Sequence, residues 1–121
     1  MFGFGKKIEI KKIEINEAYE RYEKNPDGVV IICADEQRDF DDAHILGAEC
    51  LPLRLMDNME DYYPEKDLKY YVYAINKAIS ERAYKKIVKQ DYEVYDLESL
   101  IDYRGPEEGI KVPKSRKKRK K

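Results

Sequence analysis

The chain is poor in the residues that most often carry chemistry. Among its 121 residues it has no tryptophan, a single histidine, His44, and two cysteines, Cys33 and Cys50. Two cysteines cannot build a disulfide framework, and with one histidine they fall short of a four-ligand structural zinc site. A serine-hydrolase triad would have to take His44 as its base, and no nucleophile-elbow sequence accompanies it. No metal site and no cofactor is read from this composition.

Long apolar runs are missing as well. The longest is Val29 to Ala34, far below the ~20 residues of a membrane-spanning helix. Met1-Phe2-Gly3-Phe4-Gly5, followed by Lys6-Lys7, is too short and wrongly ordered for a secretory signal, and Phe2 excludes N-myristoylation. The expectation is a cytoplasmic protein with no transmembrane segment.

Charge is plentiful but segregated, which the formal net charge of -1 conceals. Lys111, Lys114, Arg116, Lys117, Lys118, Arg119, Lys120 and Lys121 form a basic run without an acid. Removing these eight from the 24 bases leaves 16 against 25 acids, so residues 1–110 carry -9. With 42% hydrophobic residues, the acidic part has enough apolar surface to fold as one domain. The expected organisation is a folded domain over 1–105, with 1–7 flexible, and a disordered basic tail over 106–121.

Along the chain, Ile8, Ile10, Ile13 and Ile15 alternate with charged residues as in an edge strand near 8–14. Asn16 is placed as the cap of a helix that presents Ala18, Tyr19 and Tyr22 on one face and ends at Asn25-Pro26-Asp27-Gly28. Val29 to Ala34 is continuously apolar, as in a strand covered on both faces of a parallel sheet. A short helix over 36–42, a turn at Gly47 and a brief strand at 49–51 follow. Leu53 to Tyr63 has a helical pattern that Pro64 ends. Lys69 to Ala74 is an aromatic strand, Ser80 is placed as the cap of a helix reaching Lys89, and Tyr92 to Tyr95 is a final strand. Gly105-Pro106 is expected to begin the loss of order. Strands and helices in alternation predict an α/β fold with a central, mainly parallel sheet of about five strands and helices on both faces.

These residues resemble the rhodanese-like domain family. Ile32 to Ala48, with Phe40 and His44-Ile45-Leu46-Gly47-Ala48, is similar to the family's strand ending in Asp-Val-Arg, short acidic helix and His-Ile-Pro-Gly-Ala turn. The strand at 70–74, the helix after it and Tyr92-Glu93-Val94-Tyr95-Asp96-Leu97-Glu98 resemble the family's C-terminal half. The resemblance implies sulfur transfer, in which a cysteine at the end of the fourth strand carries a persulfide. That cysteine must be a thiolate, which the family loop favours with inward N–H groups, glycine, arginine and a helix N-terminus.

Here the nucleophile position holds Ala74, and the loop Ile75, Asn76, Lys77, Ala78, Ile79, Ser80 has no cysteine, glycine or arginine. A methyl group carries no persulfide, and the related phosphatases need the same cysteine. Three further departures accompany it: Cys33-Ala34-Asp35 for Asp-Val-Arg, Leu46 for the turn proline, and Ser99-Leu100 for a glycine pair. The leading expectation is a catalytically inactive rhodanese-like domain acting as a binding or regulatory module with a protein partner. A sulfurtransferase carrying persulfide on Cys33 is one alternative. A scaffold whose tail, Lys114 and Arg116 to Lys121, binds RNA or another polyanion is the other. Residues 75–80 are also a candidate weak anion site, through Lys77, Ser80 and Asn76 at a helix N-terminus.

Overall fold

The computed structural model describes residues 8–112; the basic run from Lys114 to Lys121 lies outside the described residues. Helix α1 spans Ile15–Lys24, β1 Val29–Cys33, α2 Gln37–Asp42, β2 His44–Ile45 and β3 Glu49–Cys50. A kinked 3-10 segment, Leu53–Asp61, leads to β4 Lys69–Ala74, α3 Lys77–Val88 and β5 Glu93–Ser99. A 3-10 turn at Leu100–Asp102 and β6 Glu107–Glu108 complete the chain. No helix among the described residues is long and apolar enough to cross a membrane.

The main sheet has four parallel strands in the order β3-β1-β4-β5. β1 and β4 occupy its centre, which explains their unbroken apolar and aromatic sequences. On one face Ile32, Tyr70, Val72 and Val94 pack with Ala83, Tyr84 and Ile87 of α3 and with Met56 and Met59. On the other, Ile31, Cys33, Tyr71, Tyr73 and Leu97 pack with Ile15, Ala18 and Tyr19 of α1. The expected α/β class with helices on both faces is what the chain forms.

The anticipated first strand is reduced to one parallel bridge, Lys12 to Asp96, so the sheet has four strands rather than five. The isoleucine spacing explains this. Ile8 and Ile10 pack on the α3 side of the sheet, whereas Ile13 and Ile15 belong to the α1 side. The three-residue step between Ile10 and Ile13 breaks the period of two and carries the chain across the β5 edge. Tyr84 holds the crossing segment by donating its hydroxyl to the Glu9 carbonyl at 3.0 Å and accepting from Lys11 N–H at 3.1 Å.

Both expected helix caps shift. α1 is capped by Glu14, whose carboxylate accepts from Glu17 N–H at 3.0 Å. Asn16 instead donates to the Asp102 carbonyl and accepts from Arg104 N–H, tying the first helix to the chain's far end. α3 is capped by Asn76. Ser80 is fully buried inside α3, where its hydroxyl donates to Asp96 Oδ1 at 2.5 Å and lies 3.2 Å from the Val72 carbonyl.

Order also continues past Gly105. β6 pairs antiparallel with β2, matching His44 to Glu108 and Ile45 to Glu107. Ile110 and Lys111 N–H groups then close on the Asp41 and Asp42 carbonyls of α2. Gly109 permits that approach, with φ at 141° and the Asp42 carbonyl oxygen occupying the space a Cβ would need. Residues 106–112 therefore belong to the folded body, not to a tail.

Asp96 is a buried acid, 2% exposed. Burial raises its pKa above the ordinary aspartate value, against the opposing hydrogen bonds from Ser80 and Glu98 N–H. A raised folded pKa means that the folded state binds the proton more tightly, so stability from this group falls as pH rises from about 3.8 through the folded value. Asp96→Asn is expected to remove that descending component. Urea denaturation across this window should give a flatter profile for the variant; an unchanged profile would show that Asp96 is not the group responsible.

Candidate functional site

The carboxyl ends of parallel strands are where α/β sheets bind ligands, because the chain's loops and helix N-termini converge there. β1, β3 and β4 end together here, placing Cys33, Cys50 and Ala74 on one rim. Ala74, the expected nucleophile position, is the last residue of β4 and fully buried. Its side chain is a methyl group facing the core shared with Val72, Ala83 and Ile87.

The six-residue loop expected over 75–80 is much shorter. Only Ile75 and Asn76 separate β4 from α3, so Lys77, Ala78, Ile79 and Ser80 form the helix's first turn. Ile75 N–H donates to Asp35 Oδ2 at 2.9 Å and Ala78 N–H to Asn76 Oδ1 at 2.8 Å. Ile79 and Ser80 N–H both donate to the Asn76 carbonyl. Four of the N–H groups that would face an anion in an open nest at 75–80 therefore already have an acceptor within the chain. The Ile75 carbonyl is tied in turn by the Ser99 hydroxyl at 2.7 Å. Ile75 itself is half-exposed and does not cover the site as a buried plug; Ile79 is only partly buried.

Asp35 connects the rim. It is partly buried, and desolvation raises its pKa above the ordinary aspartate value. Its Oδ2 also receives the Cys33 thiol at 3.4 Å. Cys33 is 2% exposed. Burial, reinforced by the Asp35 carboxylate, pushes its thiol far above the ordinary cysteine range. Cys50 is half-buried and shifted upward for the same reasons, burial first and then Asp41, Glu36 and Asp35. Neither thiol has the electropositive surroundings that make a reactive thiolate.

A cleft of about 420 Å³ opens beside the loop, reaching from Ala34 and Asp35 to Ile79 on α3. Its charges are mixed. Glu36 and Asp39 share it with Arg54, Arg82 and Lys86. Arg54 is held by both oxygens of Glu36, at 2.9 and 3.0 Å, and Lys86 pairs with Asp57. Lys77, the expected positive charge of the loop, is exposed in the first turn of α3. No cluster of histidine, cysteine and carboxylates able to hold a metal exists among the described residues.

His44 anchors its turn. Its ring stacks on Phe40 with centroids 3.7 Å apart, Nδ1 lies 2.7 Å from the Phe40 carbonyl, and Nε2 lies 3.3 Å from Glu108. Sequence reasoning did not find the part played by Asp35, Ser99 and Leu46. Leu46, in place of a turn proline, donates its N–H to the Pro106 carbonyl at 3.0 Å, a bond that a proline has no hydrogen to make.

No family model and no curated protein matches the chain. Solved structures do. A rhodanese-like domain from an Anabaena species, determined by NMR, superposes with a TM-score of 0.75 at 21% identity, covering 85% of this chain and 82% of that one. A crystal structure of the same Anabaena protein gives 0.73 at 25% identity, over 89% and 99%. A rhodanese from E. coli, solved with anions, gives 0.62 at 20% identity, over 68% and 99%. Together with the β3-β1-β4-β5 topology, these likenesses establish that the chain has the rhodanese-like fold.

Proposed function

We propose that this chain is a catalytically silent rhodanese-like domain that serves as a binding or regulatory module. The observation that carries the reading is the hydrogen bond from Ile75 N–H to the Asp35 carboxylate. At the place where a sulfur-transfer loop would gather a thiolate and an anion, this chain puts a buried methyl group and its own carboxylate. An incoming anion would have to displace Asp35 while sharing the rim with it, and like charges in a partly buried site repel strongly. The other departures support the same reading, since Ser99 and Leu46 both fasten segments around the rim.

Thiosulfate-to-cyanide sulfur transfer is expected to stay at the uncatalysed background. Ala74→Cys alone should remain at least ~100-fold below a competent sulfurtransferase, because loss of a single anion-stabilising donor already costs about that factor. Turnover at a competent rate in the unaltered protein would refute the silent-module reading, and full activity in Ala74→Cys would show that the loop is not closed as argued.

The alternative of persulfide on Cys33 is disfavoured by its burial and its raised thiol pKa. Incubation of the full chain with a sulfane donor should leave no persulfide on Cys33 by mass spectrometry. A species one sulfur atom heavier that disappears in Cys33→Ser and persists in Cys50→Ser would establish the alternative instead.

Charge segregation favours a second reading, in which the basic run holds RNA or another polyanion by counterion release. The variant that tests it removes 114–121, because Lys111 and Val112 are packed on the body. The full chain is expected to bind a mixed-sequence RNA at low salt, with affinity falling steeply as salt rises, and the shortened chain to bind none. Absence of binding by the full chain at low salt would dispose of this reading.

A further inference from the structure

The two cysteines are direct register partners at the carboxyl ends of adjacent parallel strands, Cys33 on β1 and Cys50 on β3. Registered partners in a ladder project to the same face. The neighbouring pair identifies which face that is. Ile32 packs in the α3-side cluster with Tyr63, and Glu49, its partner, accepts the Tyr63 hydroxyl at 2.7 Å. One residue further on, both sulfurs therefore lie on the α1 side, where Cys33 packs with Tyr73.

Both thiols are free and converge on one residue. Cys33 Sγ donates to Asp35 Oδ2 and Cys50 Sγ to the Asp35 carbonyl, each at 3.4 Å. Neighbouring strands lie about 4.8 Å apart, within the Cα separations a disulfide spans, and the Cβ atoms would need to close by about 1 Å. The element able to give is β3, a two-residue strand at the sheet's edge with β1 as its sole neighbour in that sheet.

We propose that Cys33 and Cys50 form a reversible intramolecular disulfide, making this rim a redox-responsive site whose co-reactant is a small-molecule disulfide of the glutathione type. Cys50, the more accessible thiol, loses its proton and attacks one sulfur of the oxidant. The oxidant's S–S bond breaks, and one glutathione leaves as a thiolate that takes up a proton. Cys33 then loses its proton and attacks the Cys50 sulfur of the mixed disulfide, releasing the second glutathione. Two protein thiols are oxidised by two electrons and one small disulfide is reduced to two thiols. The second step is the slow one, because Cys33 is buried and holds its proton tightly, so closure accelerates as pH rises.

Oxidation removes both thiol bonds to Asp35, leaving Ile75 N–H as that carboxylate's partner in the loop. The redox state of the pair is thereby read out at the β4–α3 connection, independently of whether the domain binds or catalyses anything.

The test treats the full reduced chain with oxidised glutathione at mildly alkaline pH and follows intact mass, peptide mapping and the Ile75 amide resonance. The expected product is a monomer lighter by two hydrogens, with a Cys33–Cys50 linked peptide, an Ile75 shift, and full return on adding dithiothreitol. Cys33→Ser should stop at a stable glutathione adduct on Cys50, and Cys50→Ser should form no internal bridge. A lasting glutathione adduct on Cys50 in the unaltered chain, dimers joined between chains, or no reaction would each overturn the proposal. The unaltered chain decides the matter even if either variant fails to fold.

Discussion

β4 is sealed on both faces and both edges, and that constraint sets most of what surrounds it. With β1 and β5 at its sides and helices above and below, β4 is buried from Tyr70 to Ala74, so a polar atom that faces the interior there needs a partner within the chain. Two of its three tyrosines, Tyr70 and Tyr73, meet that need. Tyr70 hands its hydroxyl to the Glu65 carbonyl, and Tyr73 gives its own to the Ile45 N–H as acceptor. The turn after α2 is thus held by an aromatic from the middle of the sheet. Asp96, facing the same interior from β5, is tolerated because Ser80 and Glu98 N–H both point at it.

The architecture was legible where hydrophobic period and burial agree. The runs at 29–33 and 69–74 are buried as central parallel strands, and Ala18 and Tyr19 lie on the inner face of α1 as their spacing implied. Legibility failed where a long-range hydrogen bond decided the outcome. Asn16 and Ser80 are good capping residues by local chemistry, but Asn16 bonds to the 102–104 segment and Ser80 to the buried Asp96, leaving the caps to Glu14 and Asn76. The 8–14 segment reads as a strand by alternation, yet one irregular step between isoleucines sends it across the sheet edge.

The rim was half legible. That Ala74 lacks a nucleophile is visible in the letters alone. What the letters do not reveal is that the replaced positions act together: Asp35 takes the loop's first N–H, Ser99 takes the carbonyl of the same residue, and Leu46 supplies an N–H that holds the 106–112 segment. Each is an ordinary polar or aliphatic substitution in sequence, and their meaning lies in partners that are 24 to 60 positions away. A pocket that had merely drifted would leave such groups unpaired. Here four of the loop's N–H groups and the Arg54 and Lys86 side chains of the cleft are engaged within the chain.

The pairing of β6 with β2 bears on the order in which the molecule assembles. Its contacts join residues 64 positions apart, His44 to Glu108, and the pairing consists of two residue pairs. The two core clusters draw on residues 8–103, so they can form without β6. The end of α2 cannot, because the Asp41 and Asp42 carbonyls wait for Ile110 and Lys111. That corner of the protein is therefore completed only when the 107–111 segment docks, and its carbonyls lose their partners when that segment lifts away.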